Sequence, residues 1–355
     1  MQVVIALPRA EEIDRLDAPV CGVPLLVRVM ETALRSGGSK VLLVLPAVWV
    51  DGWLRDHLWS RTIRSTGIET VEIGQAFDPS RLEHWHAIAH CLDDRFLWMP
   101  YDYLAHPPAL KELLATAARH PGSAVRFSGA AEAGPDKRIF ERPSVLLKSD
   151  QVAGRASQFQ VATVNGQPGV SARPPATLKD AEVELVRRSG KVTDGIYSRF
   201  NRKLCRPAVR WLSHTSVTPN AVTFGGLAVA VLASLCFAQG SWLWNIAGAA
   251  LFFLSGLFDE IDGMLARLRF QESAFGCWLE TIVDYATYLL VFAGMTVGGY
   301  RRGGTVYLAL GAALLFGSVL SFFAISVQRK LAAPAGRPNE YSQRYLAALE
   351  RDVGN

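Results

Sequence analysis

Cysteine is scarce in this chain and never spaced as a C-x-x-C pair: Cys21, Cys91, Cys205, Cys236 and Cys277 are the five in 355 residues. An odd count without paired spacing argues against a disulfide framework, and the five read as reduced thiols, two of them in apolar spans. A cleavable signal peptide is not expected either, because the apolar run Val3–Leu7 is too short and leads into acidic residues. The histidines that might suggest zinc, His84, His86 and His90, fall at i, i+2 and i+6 and do not share a helical face. Asp93-Asp94 reads as a solvated turn. The net charge of +5 raises the question of nucleic acid, but the basic residues concentrate just before the first apolar span with few acids between them. Arg187, Arg188, Lys191, Arg199, Arg202, Lys203, Arg206 and Arg210 therefore read as an interfacial segment on anionic lipid headgroups, with no nucleic-acid partner.

Half of the residues are hydrophobic and 19% are charged, too many charges for a membrane protein throughout. A soluble domain followed by a helical bundle reconciles the two figures. Residues 1–180 alternate short apolar runs with helical stretches. Val3–Leu7, Val41–Leu45 and Phe96–Met99 read as strands, Leu25–Leu34 and Pro108–Ala118 as helices, which suggests an α/β layer fold. Residues 181–214 form the basic amphipathic segment, and four apolar spans are expected within 215–330, near 217–238, 242–266, 277–299 and 304–327. Each is long enough to cross about 30 Å of hydrocarbon at ~1.5 Å per residue. Trp242 and Trp244 suit an aromatic interface belt. Arg267, Arg269, Arg329 and Lys330 lie on the side of the basic segment, which places that side and the soluble domain in the cytoplasm; Arg301 and Arg302 oppose this. Residues 331–355 are a charged tail that would lead into a further span.

Inside these greasy segments stand four acids at helical spacings, Asp259, Asp262, Glu280 and Asp284. An ionised side chain at the bilayer centre costs roughly 2.5–3.5 kcal/mol on insertion scales, and buried like charges also repel. Two bound divalent cations would remove both costs. Asp259, Asp262, Gly263, Ala266 and Arg267 form one helical stripe, in which Gly263 and Ala266 leave room for a ligand beside the carboxylates. Gly276, Glu280 and Asp284 recur every four residues on the next helix. Two such stripes facing each other would make a pocket. A cation transporter could also use intramembrane acids, but acids crowded near one interface offer no path across.

Asp259-x-x-Asp262-Gly263-x-x-Ala266-Arg267, eight residues, then Gly276-x-x-x-Glu280-x-x-x-Asp284 resembles the signature of the CDP-alcohol phosphotransferases, integral-membrane enzymes. The departure is Glu280, where the family has aspartate; glutamate remains an oxygen ligand but displaces the carboxylate by about a bond length. The resemblance implies two Mg²⁺ or Mn²⁺ ions held by Asp259, Asp262, Glu280 and Asp284, with Asp284 also taking the proton of the acceptor hydroxyl. It implies a CDP-alcohol donor, an alcohol or phospho-alcohol acceptor, and release of CMP. Gly263, Ala266, Arg267 and Gly276 would surround the nucleotide. Upstream, Lys191-x-x-Asp194-Gly195-x-x-Ser198-Arg199-x-Asn201-Arg202 and Thr218-Pro219-Asn220-x-x-Thr223 are similar to the inositol-phosphate branch. That adds Asn220 and Thr223 as nucleotide contacts, although helix capping alone would also explain them. Arg199, Arg202 and Arg206 are candidates for an acceptor phosphate or for lipid. The resemblance further implies a homodimer in the cell inner membrane and six spans, so acceptor contacts from the last two are expected to be absent.

Cys21-Gly-Val-Pro-Leu-Leu-Val-Arg28 followed by Gly37-Gly38 is similar to the first unit of sugar-nucleotide nucleotidyltransferases, which implies a Rossmann-like domain. It reads as degenerate, since Pro8-Arg9-Ala10-Glu11-Glu12 replaces the glycine-rich phosphate loop and its acids would repel a triphosphate. Asp102 is read as a solvated loop residue rather than that fold's metal ligand. The alternative to a transferase is a membrane-anchored pseudoenzyme or tether.

Overall fold

The computed structural model describes residues 1–7, 16–46, 66–74, 76–127, 140–154, 159–162, 168–172, 177–189 and 196–332. The Pro8–Glu12 segment, the Lys191–Gly195 part of the juxtamembrane motif and tail residues 333–355 lie outside them. The chain divides into two compact units, Met1–Glu184 and Leu185–Asn355.

The first unit is an α/β sheet structure. Its elements are β1 (Gln2–Ala6), β2 (Pro19–Val20), β3 (Val23–Pro24), α1 (Leu25–Arg35), β4 (Lys40–Pro46), β5 (Ile68–Ile73), α2 (Leu82–Ile88), β6 (Arg95–Trp98), β7 (Tyr103–Ala105), α3 (Pro107–Arg119), β8 (Ala124–Phe127), β9 (Ser144–Leu147), α4 (Lys148–Ala153), β10 (Phe159–Ala162) and β11 (Gly169–Ser171). Seven strands form one sheet in the order β10-β8-β9-β6-β1-β4-β5. β1 pairs in parallel with β4 and β6, and β9 runs antiparallel to both β6 and β8. Strands buried on both faces read as unbroken apolar runs, which is how β1 and β4 announce themselves. The core gathers Val4, Leu42, Trp85, Ile88, Phe96 and Trp98, with Phe77 edge-on to Trp85 at 4.9 Å between ring centres.

Two sequence expectations are settled here. The three strands and two helices anticipated in this unit are present within a residue or two of their expected ends. Asp102, expected to be solvated, is only 7% exposed. It sits just before β7, and its carbonyl accepts the Ala172 N–H at 2.7 Å, so the segment that follows β11 covers it.

The second unit is helical. A helix α5 (Leu178–Arg188) contains the boundary, followed by α6 (Ile196–Ser213), α7 (Pro219–Ala238), α8 (Trp242–Leu268), α9 (Ala274–Gly303) and α10 (Val306–Ala332). The starts are chemically marked. Thr218 Oγ1 accepts from Ala221 N–H at 3.2 Å with Pro219 in the first turn, and Ser273 Oγ accepts from Gly276 N–H at 2.9 Å. Between α8 and α9 the chain reverses through Phe270 in the left-handed region, φ 56°, and Gln271 N–H closes onto the Ala266 carbonyl at 2.9 Å.

By length and composition, α7, α9 and the Val306–Val327 part of α10 can cross a membrane. The fourth expected span, α8, is one helix of 27 residues but is not among these three. Its last ten residues carry Asp259, Glu260, Asp262 and Arg267, which sets it apart from its neighbours. α7 and α9 approach closely where side chains vanish: a methyl group on Gly294 would collide with the Ser234 carbonyl, and one on Gly298 with the Phe237 carbonyl.

Candidate active site

α8 supplies the first half of the site. Its last turns place Asp259, Asp262, Gly263, Ala266 and Arg267 on one stripe, and α9 answers with Gly276, Glu280 and Asp284. The expected single pocket is instead two adjoining cavities that share Asp262 and Thr223. The larger, about 590 Å³, is lined by Asp259, Asp262 and Asp284, by Tyr197, Ser198 and Asn201 of α6, and by Phe252, Phe253 and Met295. The smaller, about 80 Å³, is lined by Asp262, Glu280, Asn220, Thr223, Gly263, Ala266, Arg267 and Gly276. Every residue that the resemblance assigned to the nucleotide thus borders one cavity.

Thr223 divides the two spaces. Its hydroxyl lies 2.5 Å from Asp262 Oδ2 and 3.2 Å from the Pro219 carbonyl, which pins the carboxylate where the cavities meet. Asp262 is 4% exposed. On the larger cavity, the side chains of Asp259 and Asp284 lie within hydrogen-bonding reach of each other. Two carboxyl groups make such a contact only with a proton or a cation between them. The acids are therefore an Asp259–Asp284 pair on one side, Glu280 on the other, and Asp262 on both. Among the described residues, no group of three or more His, Cys, Asp or Glu side chains is gathered closely enough to hold a metal ion as the side chains stand.

The arginines have other work than expected. Arg202 Nε donates to Glu260 Oε2 at 2.8 Å, with the two side chains only 10% and 12% exposed, so this candidate for an acceptor phosphate ties α6 to α8. Arg199 and Arg206 are not among the residues lining either cavity. Arg267 borders the smaller cavity and donates from Nε to the Ser189 carbonyl at 2.7 Å. Sequence reasoning missed Arg269, whose guanidinium collects the carbonyls of Leu212, Ser213, Thr215 and Val217 and so fixes the α6–α7 loop against the end of α8. It also missed Glu260, whose partner lies 58 residues away. Elsewhere, His84 Nδ1 accepts the Asp78 N–H at 2.8 Å and the His86 ring lies 2.8 Å from the Val152 carbonyl, and none of the five cysteines is in a disulfide.

Comparison with known proteins gives the arrangement its context. Residues 216–349 match the family model for CDP-alcohol phosphatidyltransferase. This part of the chain belongs to that family. Among similar proteins are archaetidylinositol phosphate synthase of Methanothermobacter thermautotrophicus, 39% identical over 26% of this chain and 47% of the relative, and phosphatidylinositol phosphate synthase of Cutibacterium acnes, 35% identical over 34% and 58%. The chain thus spans about half the length of these two relatives. A bifunctional IPC transferase and DIPP synthase of Rubrobacter xylanophilus is similar across both units, 26% identical over 84% of this chain and 76% of the relative. The family's inositol-phosphate branch is the one these relatives represent.

Proposed function

We propose that the protein transfers a phosphoalcohol group from a CDP-alcohol to an acceptor hydroxyl and releases CMP, at the cytoplasmic face of a membrane. The observation that carries this reading is the junction at Asp262 and Thr223, where a cavity bordered by every candidate nucleotide contact meets one bordered by Asp259 and Asp284. The smaller cavity holds only part of a nucleotide, and CMP seated against its wall would leave the reacting phosphorus at the junction. The acceptor oxygen bonds to the phosphorus that carries the alcohol, the bond from that phosphorus to the oxygen bridging to CMP breaks, and CMP departs with the electron pair. Asp284 takes the proton of the acceptor hydroxyl, a role that requires hydrogen-bond reach.

The donor set fits a hard divalent cation such as Mg²⁺ or Mn²⁺. All four acids offer oxygen, and a cation is one of the two ways, beside a shared proton, to relieve the Asp259–Asp284 contact. Ions held by Asp259, Asp262, Glu280 and Asp284 would supply charge against the diphosphate oxygens. Gly263 opens the wall beside them, since a methyl group there would meet only the Arg267 guanidinium.

The apolar side chains that line the larger cavity, Phe252, Phe253 and Met295, support a lipid-linked donor. The relatives' names, archaetidylinositol phosphate and phosphatidylinositol phosphate synthase, support an inositol phosphate as acceptor. The seven-stranded sheet and the relative that spans both units support a nucleotidyltransferase origin for the first unit. With Pro8–Glu12 in place of a phosphate loop, that unit is read as making no CDP-linked donor of its own.

A tether is the second reading, favoured by Glu280 and by the absence of a gathered trio of ligands among the described residues. Protein in detergent, given radiolabelled CDP-diacylglycerol, myo-inositol 1-phosphate and Mg²⁺ or Mn²⁺, separates the two. The transferase reading predicts CMP release that Asp284→Asn abolishes; release without added acceptor and metal, or none from the unaltered protein, favours the tether.

A further inference from the structure

We infer that Asn201 of α6, with Ser198 one turn before it, contacts the acceptor alcohol; the inference rests on the transferase reading above. Asn201 is 1% exposed, yet its Oδ1 has no hydrogen-bond partner among the described residues, and the side chain borders the larger cavity. A buried carboxamide without a partner is unusual in a folded protein and calls for a ligand, a water or an ion. Ser198 lies three residues earlier, on the same helical face, and borders the same cavity.

The direction of the reaction says which substrate this wall meets. In an in-line displacement the attacking and leaving oxygens lie on opposite sides of the phosphorus. With the leaving CMP on the side of the smaller cavity, the attacking hydroxyl enters from the larger one, which Asp259 and Asp284 line together with α6 residues Ser198 and Asn201. The neighbouring arginine, Arg202, is held by Glu260, so the groups that α6 offers to this cavity are neutral. A carboxamide both donates and accepts, and a serine hydroxyl does the same, which matches the hydroxyls of a polyol. Asn201 is thus a substrate-contacting residue that selects for hydroxyl groups next to the reacting one.

The test uses the full chain in lipid vesicles with CDP-diacylglycerol and Mn²⁺, and reads CMP release against whichever of myo-inositol 1-phosphate, glycerol 3-phosphate and L-serine supports it. Asn201→Ala is expected to raise the KM for the acceptor about tenfold, the loss of one to two hydrogen bonds, while the KM for CDP-diacylglycerol stays within about twofold. Asn201→Ser, which keeps a hydrogen-bonding group, recovers part of the loss. Should Asn201→Ala fail to fold, Ser198→Ala carries the same test, with an expected rise of about threefold in the acceptor KM alone. An unchanged acceptor KM, a rise in the donor KM alone, or an equal rise in both overturns the inference, as does L-serine being the best acceptor. If the unaltered protein releases no CMP, the transferase reading fails and takes this inference with it. If it does, and Asp284→Asn does not, only the assignment of Asn201 is at stake.

Discussion

Gly263 and Cys205 show how single residues are set by what surrounds them. A side chain at Gly263 would point into the smaller cavity against nothing firmer than the Arg267 guanidinium, 3.3 Å from a built methyl carbon. Gly263→Val should therefore fold with its melting temperature changed by only a few degrees, while the KM for the CDP-linked donor rises at least about tenfold. A variant that binds donor normally would show that the nucleotide lies elsewhere. Cys205 is the opposite case, a group closed off from reagents. Burial pushes its thiol up to about 11, the Glu260 carboxylate adds to the rise, and Arg202 opposes it. The raised value means that thiolate forms only as pH climbs toward 11, so at pH 8 Cys205 carries about a hundredfold less thiolate than an ordinary thiol. Maleimide mapping by mass spectrometry should find it unlabelled when Cys91 is labelled; equal rates would contradict the burial. At this scale the sequence was legible wherever partners are helical neighbours. The stripe from Asp259 to Arg267 is set by 3.6-residue periodicity alone, whereas Arg202 was read as a phosphate contact because its partner, Glu260, is distant in sequence and adjacent only in space.

Among the elements, α8 holds the site together by what its ends grip. Arg269, one residue past its last turn, bonds carbonyls at the end of α6 and in the α6–α7 loop, and that loop delivers Pro219 and Asn220 to the cavity. Hydrogen bonds to a charged group contribute roughly 1.5–3 kcal/mol each and do not add, so Arg269→Gln should destabilise the helical unit by about 3 kcal/mol. Hydrogen exchange should rise across residues 211–219 first, and unchanged protection there would remove Arg269 from its positioning role. The helices were visible in advance as long apolar runs, the first of them marked at its start by Thr218-Pro219, while the Ser241 and Ser273 caps emerged only in the structure. The short strands were not. β5, Ile-Glu-Thr-Val-Glu-Ile over Ile68–Ile73, lacks strict alternation, and β7 and β11 are three residues each, too short for periodicity to register. Asp102 was misread for the same reason, since β11 and the residue after it bring the cover from 70 residues downstream.

For the molecule as a whole, the acids of α8 and α9 are the feature that membrane burial alone would disfavour. An α/β unit and a helical unit with three candidate spans can both be explained by burial of apolar surface. Asp259, Asp262, Glu280 and Asp284 cannot, and we propose that the cations they bind at the two joined cavities offset their charge. The sequence led to the expectation that these acids line one pocket, and they line two joined cavities. Two stripes on facing helices predict one pocket, and only the third helix, α7, with Thr223 bonded to Asp262, splits it in two. Binding of Mn²⁺ followed by electron paramagnetic resonance, in the presence of CDP, tests that account most directly. Two ions per chain, lost together in Asp262→Asn and retained in Arg269→Gln, is the predicted result. No bound Mn²⁺, or binding that Asp262→Asn leaves untouched, would contradict it.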